Sequence, residues 1–131
     1  MAITGGTGFV GQRVLALGAE SFRALTRRAQ PAQPGIEWVT GALDDAAALD
    51  QLCAGAEAVL HIAGVVSAPD HAGFEAGNVT GTANILAAAA RAGIRRFVQV
   101  SSLAAREPQL SLYGAARAVA EGLVMASVLE G

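Results

Sequence analysis

The chain has 131 residues, 53% of them hydrophobic, and a formal net charge of −2 at pH 7. That length suits one domain, residues 1–131, and the high apolar content with low net charge excludes intrinsic disorder. The balanced charge gives no basic footprint, so nucleic acid and anionic membrane surfaces are not expected partners. No apolar run approaches the roughly 18 residues of a membrane span.

Two residue counts narrow the chemistry further. A single cysteine excludes an internal disulfide framework and fits a reducing, cytoplasmic setting, and the N-terminus lacks a signal-peptide pattern. All nine basic residues are arginine, so any mechanism that needs a lysine fails in this chain. The histidine, cysteine and acidic residues show no metal-ligand spacing, so no metal site is predicted.

Strand-like and helix-like segments alternate along the chain. Five strands are predicted, at Met1–Thr4, Phe22–Thr26, Ile36–Thr40, Ala58–Ala63 and Phe97–Ser101. The predicted helices are Gln12–Leu17, a segment from Asp44 or Asp45 to Cys53, Asn78–Ala92 and Tyr113–Leu129, with a loop at Ser67–Gly77. This alternation is typical of βαβ units, and continuously apolar strands suit a sheet covered on both faces. The sequence therefore predicts an α/β fold, a Rossmann-type doubly wound parallel sheet in three layers, with strand order 3-2-1-4-5.

A glycine-rich turn joins the first strand to the first helix. Gly5, Gly8 and Gly11 have the spacing of a tight turn, a close approach of backbone to a pyrophosphate, and close packing of helix on sheet. The helix behind the turn offers free N–H groups, and Phe9 and Val10 are expected to pack its first turn inward. The predicted pyrophosphate site consists of Gly5, Thr7, Gly8, Phe9, Val10 and Gly11. The alternative is a glycine-rich turn without a ligand.

The residues at the end of the second strand select between two nicotinamide cofactors. An acid there would bind the ribose 2′-hydroxyl of NAD, whereas arginine accommodates the 2′-phosphate of NADP. The chain has Thr26, Arg27 and Arg28 at this point and no acid. NADP is therefore preferred over NAD, unless the two arginines only form a solvated turn.

Together these motifs resemble the short-chain dehydrogenase/reductase superfamily, in its extended or atypical branch of NAD-dependent epimerase/dehydratase-like proteins. The matching motifs, in chain order, are the glycine turn, Ala24–Arg27, Gly41–Asp45, His61–Gly64, Asn78–Thr82, Val100–Ser102 and Tyr113–Arg117. The resemblance covers nearly the whole chain. It implies an NAD(P)-binding domain in which hydride moves between the nicotinamide and a carbonyl or hydroxyl carbon of a small-molecule substrate.

The resemblance also implies which residues would border the cofactor. Leu43 would border the adenine, and Ala63 and Gly64 would run along the ribose and pyrophosphate. Asn78 would help to order the centre of the sheet. His61, within an apolar strand, is expected to be a hydrogen-bonded core histidine rather than a metal ligand.

The candidate catalytic residues follow from the same resemblance. Ser102, or alternatively Ser101, would hydrogen-bond a substrate oxygen, and Tyr113 would be the general acid/base; Ser101 otherwise belongs to the cofactor site. The residues themselves agree, because two serines that end a strand lie at the carboxyl edge, where open α/β sheets bind ligands. The alternatives are that the serines only cap a turn and that Tyr113 is an ordinary surface residue.

Arg117 stands where the family's Tyr-x-x-x-Lys motif has its lysine. Arginine keeps the positive charge beside Tyr113, but its planar fork is placed differently and stays protonated, which excludes a proton relay. Impaired or absent turnover is therefore expected, with cofactor binding less affected. The alternative function is a non-catalytic NAD(P)-binding module, a sensor or scaffold subunit.

A further departure concerns the end of the chain, which stops after the helix that carries Tyr113. Members of the family usually continue into a substrate-binding region, so that region is expected to be absent. The fifth strand would then be an exposed edge, which favours self-association into a homo-oligomer.

Overall fold

Five parallel strands form the centre of the protein in the computed structural model, which describes residues 1–18 and 21–127. The strands are β1 (Ala2–Thr4), β2 (Phe22–Thr26), β3 (Ile36–Thr40), β4 (Ala58–His61) and β5 (Arg96–Gln99). They lie in the order β3-β2-β1-β4-β5, so the predicted strand order is confirmed. The order reverses between β1 and β4, and open α/β sheets bind ligands at such a switch point.

Helices connect the strands on both faces of the sheet. They are α1 (Phe9–Ala16), α2 (Ala46–Cys53), α3 (His71–Phe74), α4 (Gly81–Arg91) and α5 (Leu112–Ala126), with short 3₁₀ helices at Leu103–Arg106 and Pro108–Leu110. A π-helical segment, Glu75–Thr80, joins α3 to α4, so residues 71–91 form one continuous helical run. None of the helices in the described part of the chain is long and apolar enough to cross a membrane.

The first and last predicted helices differ from the observed ones at their ends. Helix α1 begins at Phe9, directly after its N-cap Gly8, and the predicted continuation Gln12–Leu17 ends one residue earlier, at Ala16. Helix α5 begins at Leu112, where the Ser111 hydroxyl caps it by accepting a hydrogen bond from an amide of the first turn. The predicted end of this helix at Leu129 lies outside the described residues.

The predicted loop at Ser67–Gly77 was wrong, because it contains α3 and the start of the π-helical segment. The carboxylate of Asp70 caps α3 by accepting a hydrogen bond from the Gly73 amide at 2.9 Å. The glycines of this segment indicate a loop by composition, yet they are accommodated within a helix.

Strands β4 and β5 are shorter than predicted, since β4 ends at His61 instead of Ala63 and β5 at Gln99 instead of Ser101. Beyond His61, the Ile62 amide still donates to the Thr4 carbonyl at 3.2 Å, but the Ala63 amide donates to the side-chain oxygen Thr4 Oγ1 at 3.3 Å. The chain thus leaves the sheet at the edge where a ligand would bind.

Apolar side chains cover the two faces of the sheet. On one face, α2, α4 and α5 pack against the strands around Leu52, Ile85 and Phe97, all at most 1% exposed. On the other face, Leu15 of α1 packs against Ile3 and its neighbours. Burying a side chain of this size contributes about 1.5–3 kcal/mol, so these contacts supply the main drive for the three-layer arrangement.

Candidate functional site

A groove of about 580 Å³ follows the carboxyl edge of the sheet. Eight predicted site residues line it, namely Gly5, Thr7, Gly8, Thr26, Arg27, Leu43, Ala63 and Gly64. The other predicted site residues lie outside its lining, namely Phe9, Val10, Gly11, Arg28, Ser101, Ser102, Tyr113 and Arg117. The groove thus brings together residues from the ends of β1, β2, β3 and β4.

The glycine turn at the end of β1 is built by close backbone contacts. Gly5 has a φ of +75°, and the Gly8 amide donates a hydrogen bond to its carbonyl oxygen at 3.0 Å. A Cβ on Gly5 would lie 2.6 Å from the Ala63 nitrogen, and one on Gly11 would lie 2.6 Å from the Gly6 α-carbon. The turn therefore needs glycine at both ends, for conformation and space at Gly5 and for space at Gly11.

The first turn of α1 leaves its amides available. Its N-cap, Gly8, has no side chain that could accept a hydrogen bond from them. Phe9 is 87% and Val10 is 46% exposed, so the expectation that they pack inward was wrong. The inward position belongs to the buried Gly11, because the glycine turn leaves no space for a side chain there. Free amides at a helix N-terminus fit a phosphate.

The turn after β2 is held by the buried hydroxyl of Thr26. This hydroxyl donates to the Arg28 carbonyl at 2.7 Å and accepts from the Arg28 amide at 3.3 Å. Arg27, at the centre of the turn, lines the groove, whereas Arg28 does not. The sequence analysis assigns both arginines to the cofactor site, but in the structure only Arg27 lines the groove.

Two neighbouring aspartates after β3 have different surroundings. Asp45 caps α2, because its Oδ1 accepts a hydrogen bond from the Ala48 amide at 3.0 Å. Asp44 lines the groove beside Leu43. The Leu43 carbonyl accepts a hydrogen bond from Asn84 Nδ2 at 2.8 Å, which fixes this part of the groove against α4.

One wall of the groove was missed by the sequence analysis. It comes from α3, the π-helical segment and α4, and its residues are Gly73, Ala76, Gly77, Thr80 and Asn84. The missed signal is the spacing of four between the two glycines and between Ala76 and Thr80, which places each pair on one helix face. Small side chains there leave room for a ligand.

A buried polar chain lies under the groove, with His61 at its centre. The Thr82 hydroxyl donates to the Asn78 carbonyl at 2.7 Å, so His61 Nε2 donates to Thr82 Oγ1 at 3.1 Å. His61 Nδ1 then accepts from the Thr4 hydroxyl at 2.6 Å. Burial, and secondly the positive charge of Arg117, lowers the pKa of His61 to about 4. The hydrogen-bonded core histidine is confirmed.

Asn78 fixes the segment that follows β4. Its Oδ1 accepts from the Val65 amide at 2.7 Å, and its Nδ2 donates to the Val65 carbonyl at 2.8 Å. Asn78 is 1% exposed, so these bonds are shielded from water. The amide side chain thus replaces a neighbouring strand as the partner of this backbone.

The two serines after β5 differ in their hydrogen bonding. Ser102 Oγ accepts from the Ala104 amide at 3.2 Å and caps the 3₁₀ helix Leu103–Arg106. This bond leaves the hydroxyl hydrogen of Ser102 free to donate. Ser101 Oγ is buried and has no hydrogen-bond partner within the described part of the chain. The capping function foreseen as the alternative is present, and it does not compete with donation to a substrate oxygen.

Tyr113 and Arg117 are in contact on α5. The Tyr113 ring packs against Phe74 with centroids 6.2 Å apart, and Arg117 Nε donates to the Tyr113 hydroxyl at 3.3 Å. Arg117 is only 5% exposed, and its guanidinium packs against Gly64 at the end of the groove. Through this contact the tyrosine site adjoins the groove.

Comparison with known proteins identifies the family of the chain. The sequence profile of the NAD-dependent epimerase/dehydratase family matches residues 1–127. A ceramide reductase of Caulobacter vibrioides is 45% identical across 97% of this chain, and a putative dihydroflavonol 4-reductase of Synechocystis is 40% identical across 79% of it. The chain spans 42% and 32% of the length of these two relatives.

Solved structures show the same fold. A short-chain dehydrogenase/reductase superfamily protein from Agrobacterium tumefaciens with bound NAD is 33% identical, with a TM-score of 0.83 over 98% of this chain and 46% of that one. Uronate dehydrogenase from the same organism is 28% identical, with a TM-score of 0.77 over 92% of this chain and 52% of that one.

The switch point of the sheet, the glycine turn and the groove define a Rossmann-type dinucleotide-binding fold of the short-chain dehydrogenase/reductase class. Within that class, the chain belongs to the NAD-dependent epimerase/dehydratase family.

Proposed function

We propose that residues 1–131 form the cofactor-binding part of an NAD(P)-dependent oxidoreductase or epimerase/dehydratase, and that they bind NADP in preference to NAD. The observation that carries this proposal is the groove, which extends from the glycine turn to Arg27 on one side and to Gly64, beside Arg117, on the other. Cytoplasmic location and self-association remain predictions from the sequence alone.

The residues of the groove fit the parts of a dinucleotide. The free amides of the first turn of α1 follow Gly8, which lines the groove, and would hold the pyrophosphate next to the close contact of Gly5 with Ala63. Leu43 and Asp44 would border the adenine, where the carboxylate can accept a hydrogen bond from the adenine amine. Arg27 would meet the ribose 2′-phosphate of NADP.

The proposed chemistry divides between cofactor and chain. The bound nicotinamide supplies hydride transfer. Ser102 donates its free hydroxyl hydrogen to a substrate oxygen, and Tyr113 holds the transferable proton on its phenolic oxygen. Arg117 stays protonated, so it contributes charge and position and no proton. Because the relatives named above are called reductases, we propose reduction of a carbonyl group as the direction of the reaction.

The test is a calorimetric titration of the chain with NADPH and with NADH, in the unmodified chain, Arg27→Ala and Arg28→Ala. We expect tighter binding of NADPH. Arg27→Ala should weaken NADPH binding about tenfold or more, because a hydrogen bond to a charged group contributes about 1.5–3 kcal/mol. Arg28→Ala is the matched control, since Arg28 lies outside the groove, and it should leave both affinities nearly unchanged.

The other outcomes separate the parts of the proposal. Equal binding of both cofactors that neither substitution changes would contradict the NADP preference and leave the cofactor site intact. No binding of either cofactor to the folded chain would contradict the proposed function as a whole.

A further inference from the structure

Arg117 carries a buried positive charge without an ion-pair partner among residues 1–18 and 21–127. It is 5% exposed, and none of the three ion pairs among the described residues includes it. Its contacts are with neutral groups, namely the Tyr113 hydroxyl at 3.3 Å, the Val100 carbonyl at 3.5 Å and the Tyr113 ring at 5.5 Å from the centroid. A buried charge without a counter-charge is costly, so its position has to be enforced by the surrounding packing.

Gly64 provides the space that the guanidinium occupies. A Cβ at this position would lie 2.8 Å from Arg117 Cζ and would come closer still to Nη2, which is nearer than packed carbon and nitrogen atoms approach. Gly64 is not among the glycines with positive φ, so its backbone conformation is open to other residues. Glycine is required here for space alone.

The Asn78 side chain beside Gly64 cannot move to relieve such a clash. A Cβ would also lie 2.9 Å from Asn78 Oδ1, and the two hydrogen bonds between Asn78 and Val65 hold that oxygen in place. The guanidinium is therefore the group that would move. Because its five donors form one rigid plane, displacement of Nη2 also displaces Nε from the Tyr113 hydroxyl.

We propose that Gly64 is a positioning residue for the tyrosine site and forms a matched pair with Arg117. Because residue 64 has no side chain, the guanidinium can pack against its backbone, and this position places Nε beside the Tyr113 hydroxyl. A lysine at position 117 lacks the two terminal nitrogens, and its flexible stem can move the ammonium group aside without shifting a rigid plane, so it would tolerate a Cβ at 64. The pairing itself is independent of the cofactor; only its consequence for catalysis rests on the proposed function.

The test is a double-mutant cycle on the full chain with Gly64→Ala, Arg117→Lys and the two combined. Denaturant unfolding measures stability, and ¹³C-labelled tyrosine gives NMR ring signals from Tyr113 alone, because the sequence has one tyrosine. Gly122→Ala is the matched control, since Gly122 lies on α5 together with Tyr113 and Arg117, and a Cβ there meets nothing within 4 Å.

We expect Gly64→Ala to raise the unfolding constant at least about fivefold more in the unmodified chain than in the Arg117→Lys background. It should also shift the Tyr113 signals of the folded protein, which a loss of packing elsewhere would not do. Gly122→Ala should leave those signals in place. If Gly64→Ala does not fold, recovery of folding in the double variant supports the pair.

Two results would overturn the proposal: additive effects of the two substitutions, or unchanged Tyr113 signals in Gly64→Ala. A double variant that stays unfolded would also count against it. The cycle is read without cofactor, so its failure is distinct from failure of the proposed function. If the two substitutions are coupled but the chain binds neither NADPH nor NADH, the Gly64–Arg117 pair is supported and the proposed function is contradicted.

Discussion

The imidazole of His61 links three elements through one defined tautomer. Nε2 carries the hydrogen, because the Thr82 hydroxyl already donates to the Asn78 carbonyl and can only accept from the ring. A second proton would sit on Nδ1, facing the Thr4 oxygen that donates to it. Protonation therefore forces the Thr4 hydroxyl, directly below the glycine turn, to rotate and accept a hydrogen bond from Nδ1 in place of donating one.

This arrangement predicts a stability that depends on pH through His61. Its pKa is lowered from 6.5 to about 4 in the folded protein, by burial first and the Arg117 charge second. Between these two pH values the unfolded chain binds more protons at His61 than the folded chain does. The contribution of His61 to the free energy of unfolding is therefore fully present above pH 6.5 and is lost as the pH falls toward 4. The expected loss is about 1.4 kcal/mol per pH unit, about 3 kcal/mol in all, measured by denaturant unfolding across this range.

The control for this prediction uses the only other histidine. His71→Gln, at an exposed position on α3, should keep the full slope, whereas His61→Gln should lower stability at pH 7 and flatten the slope between pH 6.5 and 4. Carboxylates titrate in the lower part of this range in every variant, so the difference between variants is the quantity to compare. Equal slopes in both would show that His61 does not titrate in this way.

What the sequence predicts about single residues depends on how local their surroundings are. The glycine turn and the core character of His61 follow from nearby residues, and both are present in the structure. The outward position of Phe9 does not follow, because the inward space next to it is set by backbone contacts. Likewise, the contact of Gly64 with Arg117 does not follow, because it joins residues that are 53 positions apart in the sequence.

At the element scale, the two aspartates that precede α2 have different surroundings. Asp45 satisfies an amide of the first turn of α2, while Asp44 faces the groove. Asp45→Ala should lower the free energy of unfolding by about 1 kcal/mol, because it removes an N-cap. Asp44→Ala should leave stability nearly unchanged. Denaturant unfolding of both variants checks the difference.

The same two variants separate capping from cofactor binding. Under the proposed function, Asp44→Ala weakens NADPH binding in calorimetry more than Asp45→Ala does. The reverse order in either measurement would mean that the cap and the groove residue have been assigned the wrong way round.

The π-helical segment is the element that the sequence predicted least well. Pro69, Gly73 and Gly77 favour a loop when each is considered by itself. In the structure, Gly77 lies inside a helical run. Its lack of a side chain is explained by packing, since a Cβ there would meet the Val65 side chain at 3.0 Å or less. Gly77 is therefore needed for close packing against Val65, just beyond β4, a contact between residues that are distant in the sequence.

At the scale of the whole molecule, the predicted architecture was the most successful part of the interpretation. Strand order follows from the alternation of apolar strands and helices, because right-handed parallel crossovers leave few topologies. The location of the groove follows in turn from the switch point between β1 and β4. The strand ends depend on hydrogen bonds between side chains and backbone, and so does the groove wall formed by α3, the π-helical segment and α4. Sequence periodicity does not encode such bonds.

The single cysteine makes the stability of the whole molecule measurable. Cys53 is completely buried at the end of α2, and burial, then the nearby Asp50, raises its pKa to about 11. Both effects suppress the thiolate that reacts with labelling reagents. Reaction of the folded chain with a thiol reagent near pH 7.5 should therefore proceed only through unfolding, far more slowly than reaction of the denatured chain.

Cofactor binding should slow this reaction by stabilising the folded state. NADPH at 100 times its dissociation constant contributes about 2.7 kcal/mol, so labelling should slow about 100-fold when refolding is faster than reaction. Arg27→Ala at the same NADPH concentration should show correspondingly less protection, and Arg28→Ala should match the unmodified chain. Rapid labelling without denaturant would mean that α2 opens separately from the rest of the fold. If calorimetry shows that NADPH binds but labelling is not slowed, the groove and the core around Cys53 do not unfold as one unit.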